Sequence, residues 1–132
     1  MRAVVDTNVV AYHLLGTPDF SAEVRRFWEG AGDLLAPASW EAEIANVIGV
    51  SVRAGVLPAR DASARLDQAA GLGIHSVAVW TLWQGAVHRA IESKLAVYDT
   101  LFVELADRER IPLLTFDRQI LTAFPAIARR PA

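Results

Sequence analysis

The sequence contains no cysteine, which excludes disulfides, thiolate zinc sites and thiol nucleophiles. It also has no long apolar run, because every uninterrupted stretch falls well short of the roughly 20 residues that a membrane-spanning helix needs. The few apolar residues that precede Asp6 are too short for the core of a signal peptide. From these absences we expect a cytoplasmic protein with no membrane partner.

Lysine is scarce as well, and the net charge is slightly negative. Lys94 is the only lysine, whereas the chain has twelve arginines, and the formal net charge is −2 with a pI near 5.9. An acidic balance does not by itself favour a nucleic-acid partner. Arginine, however, is the better bidentate partner for phosphate, and acids gathered around a bound cation would leave the rest of the chain slightly basic. Charge alone therefore excludes neither class of partner.

A length of 132 residues with 53% hydrophobic residues predicts one domain, residues 1–132. The predicted strands are Arg2 to Val5, Leu34 to Ala36, Ile74 to Val79, Pro112 to Thr115 and, at the edge, Ala126 to Arg129. The predicted helices are Val9 to Leu15, a stretch that starts at Pro18, a helix that Ser39 caps and that ends near Gly55, Ala59 to Ala70, a segment that starts near Thr81, and Tyr98 to Arg108. Because strands and helices alternate, we expect an α/β/α sandwich around a central parallel sheet of four or five strands.

Two aspartates directly follow predicted strands. Asp6 comes after Ala3 to Val5, and Asp117 ends the segment Leu113 to Asp117. An acid at this position points out of the carboxyl edge of a parallel sheet, where α/β folds place their sites. Each aspartate has an ordinary alternative role as the cap of the helix that follows it, or as a turn residue.

Two further acids stand near the starts of amphipathic helices. Glu43 lies one turn before Val47, and Asp99 lies one turn before Val103, so both flank a buried stripe. Glu41 projects from nearly the opposite side of its helix, and we therefore assign Glu43 to the site. The alternatives are a solvated glutamate and an acid that stabilises the first turn of a helix.

If these four acids (Asp6, Glu43, Asp99 and Asp117) meet, they form a carboxylate pocket that only a divalent cation makes stable. Mg²⁺ or Mn²⁺ prefers such hard oxygen ligands, and hydrolysis of a phosphate ester by a metal-bound water needs no protein nucleophile. His13, His75 and His88 lie outside the acidic segments, and we interpret them as structural or surface residues.

With these motifs, the chain resembles the PIN domains and, within them, the VapC-like toxin ribonucleases. The matching segments are Val-Val-Asp-Thr-Asn (Val4 to Asn8), Glu-Ile-Ala-Asn-Val (Glu43 to Val47), Tyr-Asp-Thr-Leu-Phe (Tyr98 to Phe102) and Leu-Thr-Phe-Asp (Leu114 to Asp117). The resemblance implies that the four acids are catalytic and bind the metal, and that Asn8 and Thr115 support them. It further implies a parallel sheet, Mg²⁺ or Mn²⁺ dependence, and cleavage of single-stranded RNA.

The resemblance and the composition together suggest partners. Arg118 is the arginine nearest to the proposed site in sequence, which makes it a candidate RNA contact. The four tryptophans fall mostly on apolar stripes and indicate core packing or a subunit interface. We therefore expect a homodimer that also binds a small antitoxin-like protein.

Three other functions are compatible with parts of the pattern. A haloacid-dehalogenase-like enzyme requires a second acid two residues after the first, where this chain has Asn8. A response receiver would be expected to have a late strand-end lysine, but Lys94 precedes the helix at Tyr98. The more serious alternative is a non-catalytic PIN-like module that binds RNA or protein, and we would expect such a module to have lost acids.

Overall fold

The five predicted strands are all present in the computed structural model, which describes residues 1–132. They are β1 (Arg2–Val5), β2 (Asp33–Pro37), β3 (His75–Val77), β4 (Leu113–Leu114) and β5 (Ala128–Arg129). Every strand pair is parallel, and the order across the sheet is β3-β2-β1-β4-β5. The predicted α/β/α fold with a central parallel sheet is therefore confirmed, and the sheet has five strands.

Seven helices connect and cover these strands. They are α1 (Thr7–Leu15), α2 (Ser21–Glu29), α3 (Ser39–Arg53), α4 (Ala62–Ala70), α5 (Trp83–Ser93), α6 (Val97–Glu109) and α7 (Arg118–Ala123). Helix α1 contacts α2, α3 and α4, whereas α6 packs against β1, β2, β4 and α5. None of the helices is long and apolar enough to cross a bilayer.

The core lies where the central strands meet these helices. Ala3 to Val5 of β1 and both residues of β4 are almost completely buried, as are Phe102 and Val103 of α6. Strands that are buried on both faces read as continuous apolar runs, which is why β1 and β4 were visible in the sequence.

Two local predictions were wrong. The third strand was expected to reach Val79 but ends at Val77, because residues Val79–Thr81 form a 3-10 turn. Ser39 was expected to cap α3, yet it is the first residue of that helix. Ala38 occupies the cap position in a helical conformation, and the Ser39 hydroxyl is buried without a hydrogen-bond partner.

The tryptophans divide into two kinds. Trp40 is buried, and its indole N–H donates to the Ser76 hydroxyl over 2.8 Å. Trp80 and Trp83, in contrast, are 66% and 53% exposed, so core packing was the wrong interpretation for these two. Val87 and Ile91, which follow Trp83 along α5, are exposed as well.

The sheet order creates a switch point between β1 and β4. From β1, the next strands in sequence, β2 and β3, lie on one side, while β4 and β5 lie on the other. Val5 pairs with Leu114, so the segments that leave these two strands run side by side. The backbone N–H of Asp6 still donates to the Leu114 carbonyl over 3.0 Å. In open α/β sheets, a crevice at the carboxyl ends of such strands is the usual ligand site.

Candidate active site

The four acids line a single cavity of about 460 Å³ at the carboxyl edge of β1 and β4. Thr7, Asn8, Tyr12 and Asn46 contribute polar groups to the same wall. Four separated segments of the sequence thus meet at the switch point of the sheet. The structure brings together every acid that the sequence analysis selected.

Asp6 is the most buried of the four, with 7% of its surface exposed. Its Oδ1 accepts a hydrogen bond from the Thr7 backbone N–H over 2.7 Å, which caps α1. Its Oδ2 accepts from the Thr115 hydroxyl over 2.7 Å and from the Asn8 amide over 3.4 Å. Burial raises the pKa of Asp6 to about 7, although the bonds from Thr115 and Thr7 oppose this and the charges of Glu43 and Asp99 add to it.

Asn8 and Thr115 connect the ends of the two central strands. Thr115 is completely buried, and its hydroxyl oxygen accepts from the Asp117 backbone N–H over 2.9 Å. Asn8 accepts from the Phe116 backbone N–H over 3.2 Å and donates toward the Thr115 hydroxyl over 3.4 Å. Both residues therefore contact Asp6, and together they fix the backbone that carries Asp117.

Asp117 uses its two oxygens differently. Oδ1 accepts from the backbone N–H groups of Gln119 and Ile120 at 2.8 and 3.1 Å, which caps α7. Oδ2 accepts no hydrogen bond from the protein. The helix-cap alternative and the site prediction are thus compatible, because one oxygen caps the helix and the other remains available to the cavity.

Glu43 lies in the second turn of α3 and is half-buried. Its Oε1 is buried without a hydrogen-bond partner, as are the hydroxyls of Thr7 and Ser39. Burial is the main cause that raises the pKa of Glu43; the nearby hydroxyl dipoles of Thr7 and Ser39 oppose it, and the Asp99 charge adds to it. Glu41 is exposed and does not line this cavity, as predicted from its position on the opposite side of the helix.

Asp99 lies in the first turn of α6 and is half-buried. Its carboxylate accepts no hydrogen bond and takes part in no ion pair, and its place in the first turn lets the helix dipole stabilise its charge. Burial raises the pKa of Asp99, and the neighbouring charge of Asp117 raises it further. Asp99 and Asp117, the N-cap of α7, therefore bring like charges to the same cavity.

No basic side chain compensates this acidic cavity. The ion pairs of the protein involve Arg2, Arg89, Arg108 and Arg130, and none of them includes one of the four acids. An uncompensated set of carboxylate oxygens, one of them buried and unpaired, fits a hard divalent cation in its chemistry. No three of these side chains are close enough to hold one ion between them, so the acids surround the cavity without converging on one point.

The structure shows an aromatic wall that the sequence did not reveal. Tyr12 lines the cavity and stacks on Phe20 with 4.4 Å between the ring centroids. Phe116 lies against both rings, at 5.2 and 4.8 Å, and Arg130 covers Phe116 at 4.9 Å. Phe116 and Arg130 are distant in sequence from Tyr12 and Phe20, so only the folded chain could show their contact.

The remaining predicted residues lie outside the cavity. Arg118 does not line it, but borders a separate cavity beside Asp117. None of the three histidines lines it either. His13 stacks on Trp28 with 5.1 Å between the ring centroids, and partial burial lowers the pKa of its imidazole.

Comparison with known proteins agrees with the fold. A family model described as PIN domain matches residues 3–127. Ribonuclease VapC3 of Mycobacterium tuberculosis is 30% identical over 125 residues, which cover 95% of this chain and 89% of that protein. Ribonuclease VapC3 of Pyrobaculum aerophilum is 30% identical over 131 residues, covering 96% and 98%. A solved toxin-antitoxin complex from Klebsiella pneumoniae has a similar fold, with a TM-score of 0.69, 17% identity and 98% of both chains covered. The chain therefore belongs to the PIN domain family and, within it, is similar to the VapC ribonucleases.

Proposed function

We propose that this protein is an endoribonuclease that hydrolyses phosphodiester bonds of single-stranded RNA with the help of Mg²⁺ or Mn²⁺. The observation that carries the proposal is the single cavity lined by all four acids with no paired cation. The relatives named as ribonucleases, matched over nearly the whole chain, support the same activity. A non-catalytic PIN-like module, the alternative function, has no need to keep four mutually repelling carboxylates in one cavity.

The four acids are proposed as both catalytic residues and metal ligands. Each of Glu43, Asp99 and Asp117 has at least one carboxylate oxygen that accepts no hydrogen bond from the protein. When bound, a divalent ion supplies a water of lowered pKa and a counter-charge for the phosphate. It would also favour the charged form of Asp6, whose pKa of about 7 leaves it partly protonated at neutral pH without a cation.

The neighbouring side chains hold these acids in place and do not act as nucleophiles. The Thr115 hydroxyl is committed to Asp6 as a donor and to Asp117 as an acceptor. Asn8 uses its amide toward Asp6 and its carbonyl toward the Phe116 backbone. The chain has no cysteine, so we propose that water is the attacking group.

We propose that a second copy of the chain covers the exposed face formed by Trp80, Trp83, Val87 and Ile91. The last three are spaced by four residues along α5, so they form one stripe. Burying an aromatic residue removes about 150–250 Å² from water, so the exposed fractions of the two tryptophans correspond to roughly 200–300 Å² in each copy. A standard interface takes about 800 Å² from each partner, and a self-complementary pairing of this face would supply its apolar centre.

We propose that an antitoxin-like protein occupies the groove of about 500 Å³ beside α1 and α2. Tyr12, Val24, Trp28 and Leu72 give this groove its apolar lining. Tyr12 also lines the acidic cavity, so a bound segment that continues past Tyr12 would reach the acids. The negative charge there favours a basic side chain from the partner. Undiminished RNA cleavage by a complex of this chain with a bound antitoxin-like protein would contradict this assignment.

The proposed substrate class is tested with oligonucleotides of one sequence in three forms: single-stranded RNA, hairpin RNA and single-stranded DNA. With Mg²⁺ or Mn²⁺, the wild-type protein is expected to cleave the single-stranded RNA fastest. Asp6→Asn, prepared in parallel, is the control for contaminating nucleases. Equal cleavage by the two proteins would contradict the proposed site, and binding of RNA without cleavage would favour the non-catalytic alternative.

A further inference from the structure

A second, basic cavity of about 520 Å³ is lined by residues that neighbour two of the acids in sequence. Its charged lining consists of Lys94, at the end of α5, and Arg118, at the start of α7. Arg118 directly follows Asp117, and the short connection after Lys94 leads to Asp99 in the first turn of α6. Asp99 and Asp117 both line the acidic cavity. The basic cavity is therefore formed by the chain segments that adjoin this pair of acids.

The two cations of this cavity are unpaired. Neither Lys94 nor Arg118 takes part in an ion pair, and no acidic side chain lines the cavity. The other unpaired cations that line cavities have an acid beside them. Arg110 and Arg129 share their cavity with Asp107, and Arg25 shares the groove beside α1 with Glu29. Lys94 and Arg118 thus form the one cavity with two cations and no acid.

The neutral groups of this cavity suit an anion with several oxygens. The side-chain amide of Gln119 and the hydroxyl of Thr122 line it, and neither makes a hydrogen bond within the protein. Two cations with free neutral donors match the oxygens of a phosphodiester.

The backbone of Lys94 is held in place at the end of α5. Lys94 adopts a left-handed conformation with φ of 65° and ends α5 by donating its N–H to the Ala90 carbonyl over 2.8 Å. Glycine adopts this conformation without the steric cost that a side chain brings. The only lysine of the chain therefore stands where a glycine would be less strained.

We propose that Lys94 and Arg118 form a subsite for a phosphodiester of the RNA next to the one that is cleaved. This inference rests on the proposed ribonuclease function and extends it to a second contact with the substrate. The acids repel the RNA backbone wherever a cation does not neutralise them. An adjoining cavity with two unpaired cations attracts that backbone and sets the path of the strand past Asp99 and Asp117.

The test measures RNA binding separately from cleavage. Binding of a fluorescein-labelled single-stranded RNA is followed by anisotropy with Mg²⁺ present, in the Asp6→Asn background so that the RNA stays intact. Lys94→Gly and Arg118→Gln each remove one positive charge, and the glycine suits the left-handed backbone. Arg60→Gln is the matched control, because Arg60 is exposed, unpaired and lines none of the cavities.

We expect each subsite variant to weaken RNA binding several-fold and the double variant to weaken it at least tenfold. Each lost phosphate contact should also lower the dependence of log K on log salt by roughly 0.7. Arg60→Gln should leave the affinity unchanged. In the active protein with Mn²⁺, the subsite variants should raise KM with kcat nearly unchanged, since their contact is the same in the ground and transition states.

Two outcomes would overturn the inference. One is a double variant that binds RNA with the affinity and salt dependence of Arg60→Gln. The other is an inorganic phosphate site, shown by a phosphate-dependent rise in Tm that the double variant loses while its RNA affinity is unchanged. If the wild type cleaves RNA in either case, only the subsite fails. If it neither binds nor cleaves RNA, the proposed function fails, and the subsite fails with it.

Discussion

The Thr115 hydroxyl donates a hydrogen bond to Oδ2 of Asp6 over 2.7 Å, although the two residues are 109 positions apart. This bond joins the segments that leave β1 and β4, the two strands on either side of the switch point. The same hydroxyl oxygen accepts from the Asp117 backbone N–H. One buried side chain therefore orients two of the four acids.

Thr115→Val removes this hydroxyl while it keeps the shape of the side chain. The buried Oδ2 of Asp6 and the partly buried N–H of Asp117 then both lose this partner, and an unsatisfied buried group costs about 1–3 kcal/mol. We expect a loss of that size in urea unfolding and at least a tenfold loss of RNA cleavage. Thr115→Ser keeps the hydroxyl and should retain most of the activity. Equal activity of the valine and serine variants would show that the hydroxyl does not position the acids.

The two glutamates of α3 provide a matched pair. Glu43→Gln removes a charge that lines the acidic cavity, and Glu41→Gln removes an exposed charge two residues away. We expect the first variant to lower the cleavage rate by orders of magnitude and the second to leave it within about twofold, since exposed charges far from a site contribute little. An inactive Glu41→Gln beside an active Glu43→Gln would reverse the assignment of the helix face.

The sequence predicted the parts of this site that depend on local pattern. Asp6 and Asp117 follow apolar strands, and the helical period separates Glu43 from Glu41, so their placement could be derived from neighbours in sequence. The aromatic wall around Tyr12 includes Phe116, which lies far away in the sequence, and no local pattern contains such a contact. The exposure of Trp83 was also unpredictable, because an apolar stripe has the same spacing whether it faces the core or another molecule.

Neutralising Asp99 should stabilise the protein when chelator removes divalent metal. Asp99→Asn loses no hydrogen bond, and it removes a charge whose burial and whose repulsion with Asp117 raise its pKa. Because the folded state binds this proton more tightly than the unfolded state does, the wild type loses stability as pH rises above about 4. The variant should therefore have the higher Tm at pH 8 in chelator, and the difference should shrink toward pH 4.

If Asp99 is a metal ligand, Mn²⁺ should raise the Tm of the wild type more than it raises the Tm of Asp99→Asn. A cation that binds only the folded state raises its Tm by mass action. The increment should be smaller in Asp99→Asn than in the wild type, as measured by melting curves with and without Mn²⁺. An equal increment in both proteins would remove Asp99 from the metal site and leave it with an ordinary role at the start of α6.

The tryptophan face should control assembly. Trp83→Glu places a charge at an exposed apolar position, so it should convert a dimer into a monomer without lowering the Tm by the amount that a core substitution costs. Light scattering at tens of micromolar measures the mass of both proteins, and Arg60→Glu is a control of similar exposure. A monomeric wild type, or a Trp83→Glu variant that stays dimeric, would contradict the assignment of this face.

The most direct measurement is the rate of RNA cleavage as Mn²⁺ is titrated into metal-free protein, for the wild type and for Asp99→Asn. We expect no cleavage in chelator, a rate that rises to a plateau with Mn²⁺ in the wild type, and a strongly reduced plateau in the variant. This result would follow from a cavity whose carboxylates bind the cation that activates the attacking water. Full wild-type activity in excess chelator, or the same titration curve for both proteins, would contradict the account.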